Sequence, residues 1–232
     1  MIIRLLPLLG FLLAFFLSGC TKPPRLNYDD ISSTLESLSQ FRSDLSKFKG
    51  SGDLSIAKDG QRSSGKADVV WDQSGVFKAF IYSPFGAQVA AIKASAGEGE
   101  ILMDERIYHF ALDDTMSTLP FDWGRCLTFR QFIIFLTGRM PKAAQVLESR
   151  PDTLVHDKSR ASAVWNSDSV DIKASVNRRS GQVESVNYSF HCEQGRYSAQ
   201  FGAFKQGLAR EIMIRDNSRN YISLKYEVIS SQ

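Results

Sequence analysis

The sequence predicts an α+β fold that is mainly β, with an antiparallel barrel or sandwich at its centre. Three observations carry this. Apolar and polar residues alternate from Gly50 to Leu112 and again from Asp171 onward, the period of half-buried strands. Turn signals recur about every 8–12 residues, among them Lys58-Asp59-Gly60, Asp72-Gln73-Ser74-Gly75, Ser83-Pro84-Phe85-Gly86 and Ser95-Ala96-Gly97. Only two stretches carry helical spacing, and they stand apart from the blocks of strands.

The chain has 232 residues and opens Met1-Ile2-Ile3-Arg4, followed by an apolar run from Leu5 to Leu17. A basic start, a short apolar stretch and small residues make a secretory leader. The run is too short for a good transmembrane helix, which needs about 20 apolar residues. Leu17-Ser18-Gly19-Cys20 resembles the lipobox of bacterial lipoproteins. That resemblance implies a leader spanning residues 1–19, cleavage before Cys20, and acylation of Cys20 with palmitate-like chains. Each buried methylene adds about 0.8 kcal/mol of membrane affinity, so two or three chains anchor firmly. Thr21 stands where an Asp would retain such a protein in the inner membrane, so the expected location is the outer membrane, facing the periplasm.

The 28 basic and 25 acidic side chains nearly balance, and only Arg4 belongs to the leader. A nucleic-acid partner would call for Lys and Arg clustered on one face, so none is expected. Residues 20–27 read as a polar, Pro-containing tether, and 28–232 as a single domain without repeats or an obvious linker.

The first helical stretch places Ile31, Leu35, Leu38, Phe41, Leu45 and Phe48 on one face. Asp29 or Asp30 is expected to cap it and Gly50 to end it, giving about 18 residues. Its polar face mixes charges, so it is expected to pack on the domain rather than lie on a membrane. In the strands that follow, Ala67, Val69 and Trp71 share one face, as do Phe77, Ala79 and Ile81. The latter strand is apolar on both sides apart from Lys78, which calls for cover on each face.

Residues 113–126 read as a loop. Thr128-Phe129-Arg130-Gln131 is a capping box, opening a helix of about ten residues that stops at Gly138 with Pro141 beyond. It is apolar nearly all round and must be buried on more than one side. It is either a plain core helix or a lid over an apolar cavity. The final strand is expected to place Ile222, Leu224, Tyr226 and Val228 on one face.

Cys126 and Cys192 sit in a chain bound for an oxidising compartment, so a disulfide is open to them, as are two buried thiols. His109, His156 and His191 lie far apart, and no C-x-x-C pair occurs, so no metal site is expected. No G-x-S-x-G elbow is present, Ser63-Ser64-Gly65-Lys66 lacks the first glycine of a phosphate loop, and no cofactor motif is found. Asp104-Glu105 and Asp113-Asp114 sit at strand ends, where neighbouring side chains diverge. No catalytic residue is assigned, and an enzyme is not expected.

From about Phe48 to Pro141 the sequence resembles LolB, the outer-membrane lipoprotein receptor, and the wider LolA/LolB lipoprotein-carrier superfamily. The residues that carry the likeness are Gly50-Ser51-Gly52-Asp53-Leu54-Ser55-Ile56, Ala67-Asp68-Val69-Val70-Trp71, Phe77 to Tyr82, Ser83-Pro84-Phe85-Gly86-Ala87, and Phe135 to Pro141. The resemblance implies an open antiparallel half-barrel covered by helices, with an apolar cavity for acyl chains. It implies lipids or lipoproteins as cargo, a periplasmic LolA-like carrier as partner, and a role in protein transport without covalent chemistry. Trp71, Phe77, Ala79 and Ile81 would line the cavity. Phe129, Phe132, Ile133 and Leu136 would form its helical lid. Pro84, Phe85 and Gly86 would form a membrane-contacting turn, with Phe85 exposed at its tip rather than folded back on the core.

Overall fold

A computed structural model of the chain describes residues 25–27, 29–31, 33, 46–118, 126–139, 150–193, 195–205, 207–216 and 220–231. The predicted leader, Cys20, most of the predicted 31–48 helix and Pro141 lie outside them. Within the described part, two antiparallel meanders meet in one sheet. The first comprises β1 (Lys47–Lys58), β2 (Gln61–Asp72), β3 (Phe77–Tyr82), β4 (Gln88–Ser95), β5 (Glu98–Met103) and β6 (Arg106–Ala111). The second comprises β7 (Thr153–His156), β8 (Arg160–Trp165), β9 (Val170–Asn177), β10 (Val183–Cys192), β11 (Gly195–Gly202), β12 (Glu211–Asp216) and β13 (Tyr221–Ser231). The order is β6-β5-β4-β3-β2-β1-β13-β12-β11-β10-β9-β8-β7, so the first and last strands pair at the centre and β6 and β7 are edges.

Between the meanders the described residues hold one helix, α1 (Phe129–Leu136), and before it a 3₁₀ turn, Met116–Thr118. The predicted capping box is present: Gln131 N–H donates to Thr128 Oγ1 at 3.2 Å, and Thr128 N–H to Gln131 Oε1 at 3.1 Å. Gly138 ends the helix in the left-handed region, at φ +69°. Eight residues of helix span only about 12 Å. Yet Phe129 stacks on Phe110 of β6, with ring centroids 3.9 Å apart, while Phe135 meets Phe190 of β10 at 6.0 Å. Those two strands are nine positions apart in the sheet, or about 43 Å along a flat one. The sheet is therefore curled around α1. This is the open antiparallel half-barrel, and it is neither a sandwich nor a closed barrel.

The predicted cover of helices is reduced. Among the described residues, α1 alone is packed across the concave face, and it is two residues shorter than expected. The predicted first helix also ends differently. Phe48 and Gly50 belong to β1, where Phe48, Gly50 and Gly52 are buried in period two. The step from Leu45 to Phe48 matched a helical interval by coincidence. Its start is capped by Asn27 rather than Asp29 or Asp30: Asp30 N–H donates to Asn27 Oδ1 at 2.9 Å, and Asn27 N–H donates back to Asp30 Oδ2 at 2.8 Å. Ile31, in the first helical turn, is fully buried in the core.

The final strand departs from strict alternation. Gly52 pairs with Tyr226 and Ser51 with Val228, so one residue of β13 is extra at this point. Val228 consequently faces out and is 63% exposed, while Ile229, opposite Gly50, packs against the core. The sequence expectation that Val228 shares the face of Ile222, Leu224 and Tyr226 fails at this bulge.

Candidate functional site

The concave face is apolar because each strand delivers alternate residues to it. Trp71 pairs with Phe77, Val69 with Ala79 and Ala67 with Ile81, so the four predicted lining residues share one surface on β2 and β3. The row continues from Ala79 to Ile92 on β4 and from Ile92 to Ile101 on β5. Phe77 and Ala79 are fully buried, whereas Trp71 and Ile81 are half-buried. The second meander supplies Ile172, Ala174, Val186, Tyr188, Ala199, Phe201, Ile212 and Ile214 to the same core.

All four predicted lid residues, Phe129, Phe132, Ile133 and Leu136, are buried. Together with Phe135 they belong to the buried core cluster on the concave face. Phe135 is fully buried between Phe190 and Phe201. Packing of α1 thus buries apolar surface worth about 25 cal/mol per Å².

Polar contacts fix α1 at both ends. Near its start, Tyr197 Oη donates to Gln131 Oε1 at 3.1 Å. Near its end, Tyr226 Oη donates to the Leu136 carbonyl, and Ala209 N–H donates to the Gly138 carbonyl at 3.3 Å. Burial raises the pKa of both tyrosines well above the ordinary phenol value. Cys126, just before α1, is disulfide-bonded to Cys192 at the end of β10, with Cα atoms 6.1 Å apart.

At the opposite end of α1, the Arg139 guanidinium lies 3.8 Å above the Trp71 ring. Its Nε–H donates to Thr137 Oγ1 at 2.8 Å. Burial alone pulls its pKa down to about 10. Sequence reasoning missed this residue. A cation directly after a helix-stop glycine reads as a solvated helix end, and nothing in the sequence shows that Trp71 lies beneath it.

The predicted membrane-contacting turn sits away from α1. Gly86 N–H donates to the Ser83 carbonyl at 2.9 Å, Ser83 N–H donates to the Ala87 carbonyl at 2.8 Å, and Gly86 takes φ +84°. This is a three-residue hairpin loop whose glycine supplies the left-handed position. Phe85 stands at its tip and is 96% exposed, so it is not folded back on the core. Val89, one residue into β4, is 48% exposed beside a register shift. On the convex face near the same end of the sheet, Leu102 and Ile107 form an exposed cross-strand pair. The strand-end carboxylates are solvated: Asp104 and Glu105 make the positive-φ turn between β5 and β6, and Asp113 takes a two-point ion pair from Arg130.

No protein-family model and no curated protein sequence matches the chain. Solved structures do match. A LolA superfamily protein from Nitrosomonas europaea has a TM-score of 0.51 at 14% identity, covering 90% of this chain and 94% of its own. A DUF1329 family protein from Desulfovibrio piger gives 0.53 at 7% identity, over 91% and 94%. A putative outer membrane lipoprotein-sorting protein domain from Vibrio parahaemolyticus gives 0.49 at 10%, over 89% and 94%. At these identities the likeness is one of fold: the chain is similar in architecture to a LolA superfamily protein along nearly its whole length.

Proposed function

We propose that this chain is an acyl-chain-binding lipoprotein of the outer membrane, held there by lipidated Cys20. In this reading it receives lipoproteins from a periplasmic LolA-like carrier and releases them to the bilayer without covalent chemistry. The observation that carries the reading is the apolar concave face of an open LolA-like sheet, covered among the described residues by one short helix. α1 occupies the surface that chains would use, so cargo binds by displacing Phe129, Phe132, Ile133 and Leu136 from the concave face to which Trp71, Phe77, Ala79 and Ile81 belong. The exchange replaces one apolar contact with another and needs little net free energy. The exposed Phe85 tip gives the protein a second apolar contact with the membrane.

A second reading is favoured by the anchoring of α1. A disulfide, two tyrosine hydroxyls and a fully buried Phe135 all hold α1 in place. A scaffold that kept the fold but carries no cargo would have these features. Extraction of the purified, non-lipidated domain with organic solvent, followed by lipid mass spectrometry, separates the two. Co-purified acyl lipids in near-stoichiometric amount support the carrier. A protein free of lipid that also takes up none when incubated with acyl chains supports the scaffold.

A further inference from the structure

Arg139 stacks directly on Trp71, one of the predicted lining residues of the candidate site. A guanidinium carries five N–H donors and no acceptor. Among the described residues, one of the five is taken up, by Thr137 Oγ1. No described carboxylate lies within ion-pair distance, although the chain pairs Arg130 with Asp113 and Arg160 with Glu184 elsewhere. The contrast is physical. Arg130 is at the surface, where its pair contributes little, whereas Arg139 is largely withdrawn from water, and desolvation is the sole cause of its lowered pKa. A desolvated cation is costly unless something satisfies it. The ring of Trp71 meets one face of the guanidinium. That stack leaves the terminal N–H groups in the plane of the fork, where planar anions bind two at a time.

The placement gives these donors a direction. Trp71 is half-buried and belongs to the same apolar row as Phe77 and Ala79. Arg139 therefore sits where the apolar surface of β2 and β3 meets the end of α1, a cation at the rim of an oily face. We propose that Arg139, stacked on Trp71, is a headgroup site: it binds the phosphate or carboxylate of an amphiphile whose chain lies along Trp71, Phe77 and Ile81. This inference rests on the acyl-chain-binding reading and adds the chemical class of the ligand to it. It also gives a reason for a cation with no carboxylate partner among the described residues in this position. A neutral residue would suffice to close α1 on the sheet, and a carboxylate partner would have cancelled the site.

The test uses the mature chain with Cys20→Ser, which removes only the acyl anchor, and isothermal titration with three probes. Dodecyl phosphate and dodecyl maltoside share a chain and differ in headgroup charge; inorganic phosphate has the charge and no chain. Dodecyl phosphate is expected to bind about tenfold or more tighter than dodecyl maltoside, as a charge-assisted contact allows. Inorganic phosphate is expected not to compete at the same concentrations. Arg139→Gln is expected to remove the preference and leave dodecyl maltoside binding unchanged. Arg139→Lys keeps a cation there without the fork and is expected to retain part of the preference. Equal binding of the two amphiphiles by the unsubstituted chain would overturn the headgroup site while leaving chain binding intact. Tight binding of inorganic phosphate alone would assign the cation to a free anion and overturn it too. Binding of neither amphiphile would overturn both this inference and the reading beneath it.

Discussion

The Tyr226 hydroxyl, on the central strand β13, donates to the Leu136 carbonyl at the end of α1. The bond joins the last strand of the chain to the helix packed on its concave face, across a separation of 90 residues. A helix end leaves its last carbonyls without partners inside the helix, and burial makes that costly. Tyr226 supplies one partner from a side chain that is itself 1% exposed. Tyr226→Phe is expected to lower stability by about 1–3 kcal/mol, because a buried acceptor loses its donor. Urea unfolding at pH 7 measures it.

The same tyrosine sets a pH dependence. Burial raises its pKa in the folded chain well above the ordinary phenol value, and raises that of Tyr197 as well. The folded state therefore keeps phenolic protons that the unfolded chain releases from about pH 10 upward. Their contribution is fully present below pH 10 and is lost as pH rises toward the folded values. Stability should fall steeply above pH 10, and the phenolate absorbance of Tyr197 and Tyr226 should appear together with unfolding. Tyr226→Phe should show a shallower fall. An early phenolate signal of all tyrosines in a still-folded chain would contradict this.

The disulfide ties the entrance of α1 to β10 across a sequence separation of 66. Closing a loop of that length in the unfolded chain is worth about 4 kcal/mol on the loop-entropy account. Cys192→Ser, or reduction, is expected to lower the denaturant midpoint accordingly. It also bears on function. If α1 must leave the sheet to admit cargo, reduction should speed acyl-chain uptake even as it lowers stability. Uptake that is unchanged on reduction would place the opening of α1 elsewhere.

Much of this was legible in the sequence because burial in strands has a period of two. Phe77, Ala79 and Ile81 could be put on one face, and the capping box fixed the start of α1 at Thr128. The Phe85 tip was legible as well, since an aromatic between Pro84 and Gly86 has little local structure to hide in. The curl of the sheet was not. It depends on Phe110 and Phe190 meeting the same short helix, a long-range contact with no local signal. Nor was the bulge at Gly52, which turned Val228 outward. Arg139 was missed for the related reason that its partner, Trp71, is 68 positions away in the chain.

Gly52 tests the seam between the two meanders. A Cβ added there would fall 2.1 Å from the Lys225 carbonyl oxygen, which is backbone and has no rotamer through which to yield. Gly52→Ala must shift β1 away from β13 at the point where the two halves of the sheet join. The expected cost is about 3 kcal/mol or more, at the upper end for overpacking. Ala at Gly60, whose Cβ would meet nothing within 4 Å, is the control. Its φ of +83° adds only the local strain of a left-handed residue, about 1–2 kcal/mol. Comparable losses at the two sites would show that the seam tolerates widening.

Phe85 gives the most direct test of membrane contact. At 96% exposure its side chain has almost no packing to lose, so Phe85→Glu should leave stability within about 0.5 kcal/mol. At a bilayer interface the same change removes an apolar side chain worth about 1.5–3 kcal/mol when buried, and places a carboxylate next to the headgroups. Binding of the Cys20→Ser chain to phospholipid vesicles, read by sedimentation, should fall by about tenfold or more. Phe85→Leu should keep most of it, because size and apolarity are what the interface reads. Were the Glu variant to bind vesicles as well as the unsubstituted chain, the hairpin tip would have no membrane role. The contact would then have to come from the acyl anchor alone.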